Sequence, residues 1–177
     1  MTYQQQKYQS VKRVYHDRQT GLTTYDRIDK HQTRFDSISE FKTYILLEEH
    51  FSANHFQIEV HPTLAIGESE WQIDFSVTAH KGDTGACILL AEIVNSTNGT
   101  HHTAIDKIFV EYKGFQDKNF VRKMSNVVTS APNFSKSIIL VSEYDSAFGC
   151  YDKNRKRFHC HPVLSMPLFK SILESVL

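Results

Sequence analysis

What most constrains the fold is a change of period along the chain, because helices and strands bury apolar side chains at different spacings. Phe41, Tyr44, Ile45 and Phe51 recur at helical spacing, and Ser37 followed by Glu40 has the form of a capping box, with Asp36 as an alternative cap. This predicts a helix from about 37 to 51. Phe56-Gln57-Ile58-Glu59-Val60 then alternates, Pro62 closes or bends it, and Trp71-Gln72-Ile73-Asp74-Phe75-Ser76-Val77 alternates again, so two strands are expected. Lys107 to Gly114 reads as another strand. Phe120, Met124, Val127 and Val128 give a short amphipathic helix that ends near Pro132, and Ser137 to Val141 is a strand of the buried type.

Between these segments, Lys81-Gly82-Asp83-Thr84-Gly85 is a turn signal leading into the apolar run Cys87-Ile88-Leu89-Leu90-Ala91, which predicts a hairpin, and 95–103 reads as a loop. Residues 1–34 show no dependable period and are expected to form an arm or a short hairpin around Gln19-Thr20-Gly21. The tail gives a hairpin through Asp152 to Arg157 and a last helix over 168–173. The fold class is therefore α/β or α+β, with a central mixed sheet flanked by helices. An N-terminal arm (1–34) precedes a single domain (35–177).

Lys plus Arg and Asp plus Glu both number 20, so the formal net charge is zero and no global field draws the protein to polyanions. Any contact with nucleic acid must be local. The three cysteines are an odd number, and no apolar signal segment follows the basic residues near Met1. The expectation is an intracellular, cytoplasmic protein with reduced thiols. No apolar run approaches the ~20 residues of a membrane-spanning helix.

Residues two apart on a strand project from one face, so Glu111 and Lys113 would meet at one site, and Asp74 on another strand could supply a second carboxylate. Carboxylates bind hard divalent cations, which activate water and stabilise the transition state of phosphodiester hydrolysis. A nearby lysine can orient the water and offset charge.

The pieces Phe35-Asp36-Ser37-Ile38-Ser39-Glu40, Trp71-Gln72-Ile73-Asp74-Phe75, Val110-Glu111-Tyr112-Lys113-Gly114 and Asn119-Phe120-Val121-Arg122-Lys123 occur in that order. Over roughly residues 35–142 the chain resembles the PD-(D/E)XK nuclease superfamily. It looks most like the small phage-type, Holliday-junction-resolvase-like members and the endonuclease subunits of heteromeric transposases. The resemblance implies a restriction-endonuclease-like core of order αβββαβ, here with an extra strand and a C-terminal hairpin. It makes Asp74 and Glu111 ligands of Mg2+ or Mn2+, Lys113 the base or water-orienting cation, and Glu40 a helix-borne auxiliary acid. Lys123, with Lys118 and Arg122 on the same helix, would contact DNA phosphates. The residue before Asp74 is Ile73 rather than the motif's proline, and the gap from Asp74 to Glu111 is long.

That gap leaves a rival register open. If a hairpin turn centres on Asp83, Asp74 lies opposite Glu92, which could then be the second ligand. Ile105, Ile108, Phe109, Tyr112 and Phe115 would then fall at helical spacing. Two further clusters stand in the tail. Cys150, His159, Cys160 and His161 are ligand types that zinc accepts, although their spacing is not that of a paired zinc motif. Lys153, Arg155, Lys156 and Arg157 form the densest basic run, ordinarily a solvated turn and here a candidate phosphate contact.

Together these imply a metal-dependent DNA endonuclease serving a mobile element, recombination or repair. Its partners would be DNA and a protein that supplies targeting, and it would act as a homodimer with two sites across a duplex. The alternative is a catalytically silent domain of the same fold that binds DNA or protein within a larger assembly.

Overall fold

The computed structural model describes residues 13–66, 69–114, 118–152 and 154–177. Two compact units divide the chain, Met1–Leu46 and Leu47–Leu177, with the break inside helix α1 (Ile38–His50).

In the first unit β1 (Val14–His16) pairs antiparallel with β2 (Thr23–Thr24) and β3 (Thr33–Phe35). The expected turn connects β1 and β2, with Gly21 at φ 72° and its N–H donating to Asp17 O at 2.8 Å. Glycine takes that conformation without the Cβ clash other residues meet. Rings cluster beneath this sheet: Phe35 lies 4.9 Å from Tyr44 and 5.2 Å from Phe41, centroid to centroid, and His16 lies 5.2 Å from Phe41. Helix α1 starts as its sequence predicts. The Glu40 N–H donates to Ser37 Oγ at 3.0 Å, and Glu40 Oε2 accepts the Asp36 N–H at 2.9 Å.

The second unit is built on a six-stranded sheet of order β10-β11-β9-β8-β7-β4. Its strands are β4 (Phe56–Val60), β7 (Phe75–Ala79), β8 (Lys107–Tyr112), β9 (Ile138–Ser142), β10 (Ser146–Tyr151) and β11 (Arg157–Ser165). The pairs β4–β7, β7–β8 and β10–β11 are antiparallel, whereas β8–β9 and β9–β11 are parallel. The mixed sheet flanked by helices is thus as expected. Helix α3 (Lys118–Ser130) and the short α4 (Pro132–Ser135) form the crossover between β8 and β9. Phe120, Met124 and Val127 of α3 pack against Phe109, Ile138, Leu140 and Phe148 on one face of the sheet. The opposite face, which includes Ile108, Val110 and Ile139, is covered by α2 (Thr84–Asn98) and α5 (Met166–Val176). Among the described residues no helix is long and apolar enough to cross a membrane.

Two expectations are corrected. The run from Cys87 to Ala91 is not a strand but part of α2, and no hairpin turns at Asp83. Asp83 instead caps the helix, its Oδ1 accepting the Ala86 N–H at 2.9 Å, and Gly99 closes it at φ 64°, so the loop expected over 95–103 begins only after Asn98. Ala86, Leu90, Ile93, Val94 and Thr97 supply the buried stripe at helical spacing, while Ile88 within the apolar run is 42% exposed. A short run of this kind fits either period until its flanks are included. Second, the segment Trp71 to Val77 is not one strand. It breaks at Ile73-Asp74 into β6 (Ser69–Gln72), which pairs with β5 (Thr63–Ile66) in a separate ribbon, and β7 of the main sheet.

Candidate active site

The break at Ile73-Asp74 sets Asp74 immediately before β7, and Glu111 lies near the end of β8. Because Phe75 pairs with Val110, continuing the register brings Asp74 opposite Glu111 on the same face of the sheet. Two hydrogen bonds join them: the Asp74 N–H donates to Glu111 Oε2 at 3.1 Å, and the Tyr112 N–H donates to Asp74 Oδ2 at 2.7 Å. Lys113 Nζ lies 2.7 Å from Glu111 Oε1 and 4.5 Å from the centre of the Phe120 ring. This end of the sheet is where the parallel strands β8 and β9 terminate, the usual place for ligands in sheets with parallel crossovers.

Glu111 is 2% exposed. Burial pushes its carboxyl above the ordinary 4.5, opposed by the charge and hydrogen bond of Lys113, by the Asp74 N–H and by the charge of Lys123. Asp74 is half-buried, so one carboxylate of the pair meets solvent and the other does not. His61 completes the row across the strand ends. Its N–H donates to Asp74 O at 2.8 Å, it turns the chain out of β4 at φ 55°, and a ligand atom of its ring lies within 4.8 Å of an Asp74 carboxylate oxygen.

The Asp74 and Glu111 carboxylates stand opposite one another across two strands, and the His61 imidazole lies near that of Asp74. Carboxylate oxygens suit Mg2+ and Mn2+, and the imidazole adds a donor that Mn2+ accepts more readily. Asp74 and Glu111 fit the role of metal ligands by chemistry, and His61 is an additional donor that the sequence had not singled out. The hint lay in its place, at the end of an alternating segment just before Pro62, but only the β4–β7 register sets it beside Asp74.

The remaining expected site residues lie on helices and on the tail hairpin. Glu40 lies in the first turn of α1, 5% exposed, engaged in the cap described above. Glu92 stands on α2 with its side chain exposed, so the cross-strand pairing that would set it opposite Asp74 does not form. Nor do residues 105–112 form a helix, since β8 occupies 107–112; Phe115, the last residue of that reading, lies outside the described residues. Lys118, Arg122 and Lys123 are exposed on α3, and Lys123 Nζ sits 5.4 Å from the centre of the Trp71 ring, close enough for its charge to act on Glu111.

Arg155, Lys156 and Arg157 are exposed at the β10–β11 hairpin, and Lys153 lies outside the described residues. Glu111, Leu140 and Val163 occupy one row of the sheet, so Arg157 stands roughly 20 Å down β11 from that row at ~3.3 Å per residue. Helix α3 is tied to the hairpin, the Tyr151 N–H donating to Ser125 Oγ at 2.9 Å. The tail residues considered for zinc do not converge either: Cys150 is buried in the core and Cys160 is exposed, while His161 is buried and donates from Nε2 to Ile138 O at 2.8 Å. A carbonyl only accepts, so Nε2 carries the proton and is not available to a metal.

No protein family, curated protein or solved structure matches this chain significantly.

Proposed function

We propose that the protein is a metal-dependent DNA endonuclease with a restriction-endonuclease-like core of the PD-(D/E)XK type. The observation that carries this reading is the reciprocal pairing of Asp74 with the Glu111-Tyr112-Lys113 segment at the ends of two adjacent strands. The topology supports it: α1, β4, β7, β8, α3 and β9 follow in the order αβββαβ, with β4, β7 and β8 antiparallel and β9 parallel to β8. Helix α2 accounts for the long gap between the two carboxylates, as an insertion between β7 and β8.

Asp74 and Glu111 would hold Mg2+ or Mn2+. The bound cation supplies a more acidic water and charge stabilisation for the pentacoordinate transition state. Lys113, anchored against Glu111 and Phe120, orients the attacking water and offsets developing charge. Lys123, which lies beside Trp71, would take a phosphate oxygen of the strand being cut. Action at a mobile element, in recombination or in repair, a homodimeric assembly and a targeting partner belong to the same reading.

Cleavage of plasmid, branched and single-stranded DNA with Mg2+ or Mn2+ tests it. The parent protein cuts at least one substrate, Asp74→Ala and Glu111→Ala do not, and Glu92→Ala cuts as the parent does. Parental activity in Asp74→Ala, or no cutting at all, overturns it. The second outcome favours the silent binding module, for which the Lys113–Glu111 pair is the supporting observation, since it satisfies the buried acid without a cation.

A further inference from the structure

The β10–β11 hairpin presents a face that the carboxylate row does not use. Cys150 pairs with His159 but Tyr151 pairs with Arg157, so two residues of β11, Arg157 and Phe158, stand against Tyr151 alone. An extra residue of this kind interrupts the alternation and re-aims side chains. Here it sends Arg157 and Phe158 to the side that Tyr151 occupies, with Tyr151 42% and Phe158 46% exposed. Gly149 forms the floor. A Cβ at that position would meet Arg157 Nε at 2.8 Å and Tyr151 Oη at 3.0 Å, so both side chains lie across bare backbone.

The tip beyond them is held by one residue. Asp152 Oδ1 accepts the N–H groups of Asn154 and Lys156, each at 2.8 Å, and Asp152 O accepts the Arg155 N–H at 3.0 Å. Arg155 and Lys156 are thereby presented to solvent on a fixed turn.

Exposed aromatic faces beside a laid-down guanidinium and two further cations make a surface that stacks bases and neutralises phosphates. An acidic peptide would engage the cations and leave the rings unexplained. In an intact duplex the base faces are already stacked on one another, so rings of this kind select unpaired nucleotides.

We propose that this hairpin face binds single-stranded nucleic acid, with bases on Tyr151 and Phe158 and phosphates on Arg155, Lys156 and Arg157. Combined with the endonuclease reading, on which this consequence rests, it directs the enzyme to branched or flapped DNA. The unpaired arm is then held on the other face of the sheet, displaced roughly 20 Å along the strands from the carboxylate row.

Binding without chemistry tests it. Fluorescence anisotropy of a labelled oligothymidylate, measured in EDTA on the full chain, should show tighter binding than a blunt duplex of equal length. The Tyr151→Ala/Phe158→Ala double variant should lose about tenfold or more, and Tyr151→Phe should stay near the parent. Arg155→Ala/Lys156→Ala should flatten the salt dependence by about 0.7 in log–log slope per charge removed. Tyr151→Trp serves as a second probe that keeps a stacking ring: its added emission should be quenched by the oligonucleotide. Parental affinity in the double alanine variant, no affinity of the parent for the oligonucleotide, or unquenched emission in Tyr151→Trp overturns the proposal. Intact binding without any cleavage would instead remove the endonuclease reading and leave the hairpin's role standing.

Discussion

Asp74 and Glu111 fix one another through the backbone: the Asp74 N–H reaches Glu111 Oε2, and the N–H next after Glu111, that of Tyr112, reaches Asp74 Oδ2. The carboxylates are coupled by geometry before any cation is considered. Substitutions must therefore separate charge from hydrogen bonding. Asp74→Asn keeps an oxygen for the Tyr112 N–H, so its thermal stability should stay near the parent while cleavage falls by at least about a hundredfold. Asp74→Ala strands that N–H and should lose a further ~1 kcal/mol in urea unfolding. Equal stability of the two variants would mean that the Tyr112 hydrogen bond contributes nothing.

Glu111 makes a prediction with a definite sign. Its folded carboxyl titrates above its ordinary value because it is buried, so the folded state holds the proton more tightly than the unfolded chain. Its contribution to stability is complete below 4.5 and is lost as pH rises through the higher folded value. Glu111→Gln should therefore gain on the parent with rising pH. Melting temperatures of both proteins in metal-free buffer from about pH 4 to about pH 8 read this directly, and a constant difference would contradict it.

Cation binding should follow the same proton. On the endonuclease reading, Mg2+ or Mn2+ would displace it from Glu111, so affinity should increase with pH, and titration calorimetry in buffers of different ionisation enthalpy should record proton release. Lys113 opposes the burial effect. Lys113→Ala should move the affinity profile to higher pH, and an unmoved profile would show that Lys113 has no electrostatic hold on the site.

His161 supplies an acid-sensitive element away from the carboxylates. Burial lowers its pKa to about 4 from 6.5, and its neutral ring donates to Ile138 O. The associated stability is present above 6.5 and is lost as pH falls toward 4, by up to about 3 kcal/mol. His161→Leu should be less stable than the parent at neutral pH and lose less on acidification. Parallel curves for the two proteins would exclude this account.

Ser76 is fully buried on β7, and its Oγ has no hydrogen-bond partner among the described residues. Removing the hydroxyl relieves a desolvated group, so Ser76→Ala should be stabilised by about 1 kcal/mol in chemical denaturation. A loss of stability would mean that an ordered water satisfies the hydroxyl.

The sequence was most informative where one period held over an isolated element. Helix α1 with its Ser37–Glu40 cap, β4, β8, the Phe120/Met124/Val127 stripe of α3 and the tail hairpin all lie close to where their patterns place them. It misled where an element was apolar on more than one side. Helix α2 reads locally as a strand because its run from Cys87 to Ala91 hides the wider spacing. The alternation from Trp71 to Val77 runs unbroken through a change of sheet, because period two is the same in both sheets. That Glu111 and Lys113 meet was legible, because residues two apart on a strand share a face. His61 was not, since only pairing across strands distant in sequence brings it beside Asp74.

The ribbon of β5 and β6 has a practical consequence. It carries the chain's only tryptophan, Trp71, 2% exposed, three positions before Asp74 and capped by the Lys123 ammonium. The unmodified protein thus contains its own optical reporter. Any event that draws Lys123 off the indole, such as the arrival of an anion, changes the local field on the chromophore and with it the colour and yield of the protein's own emission.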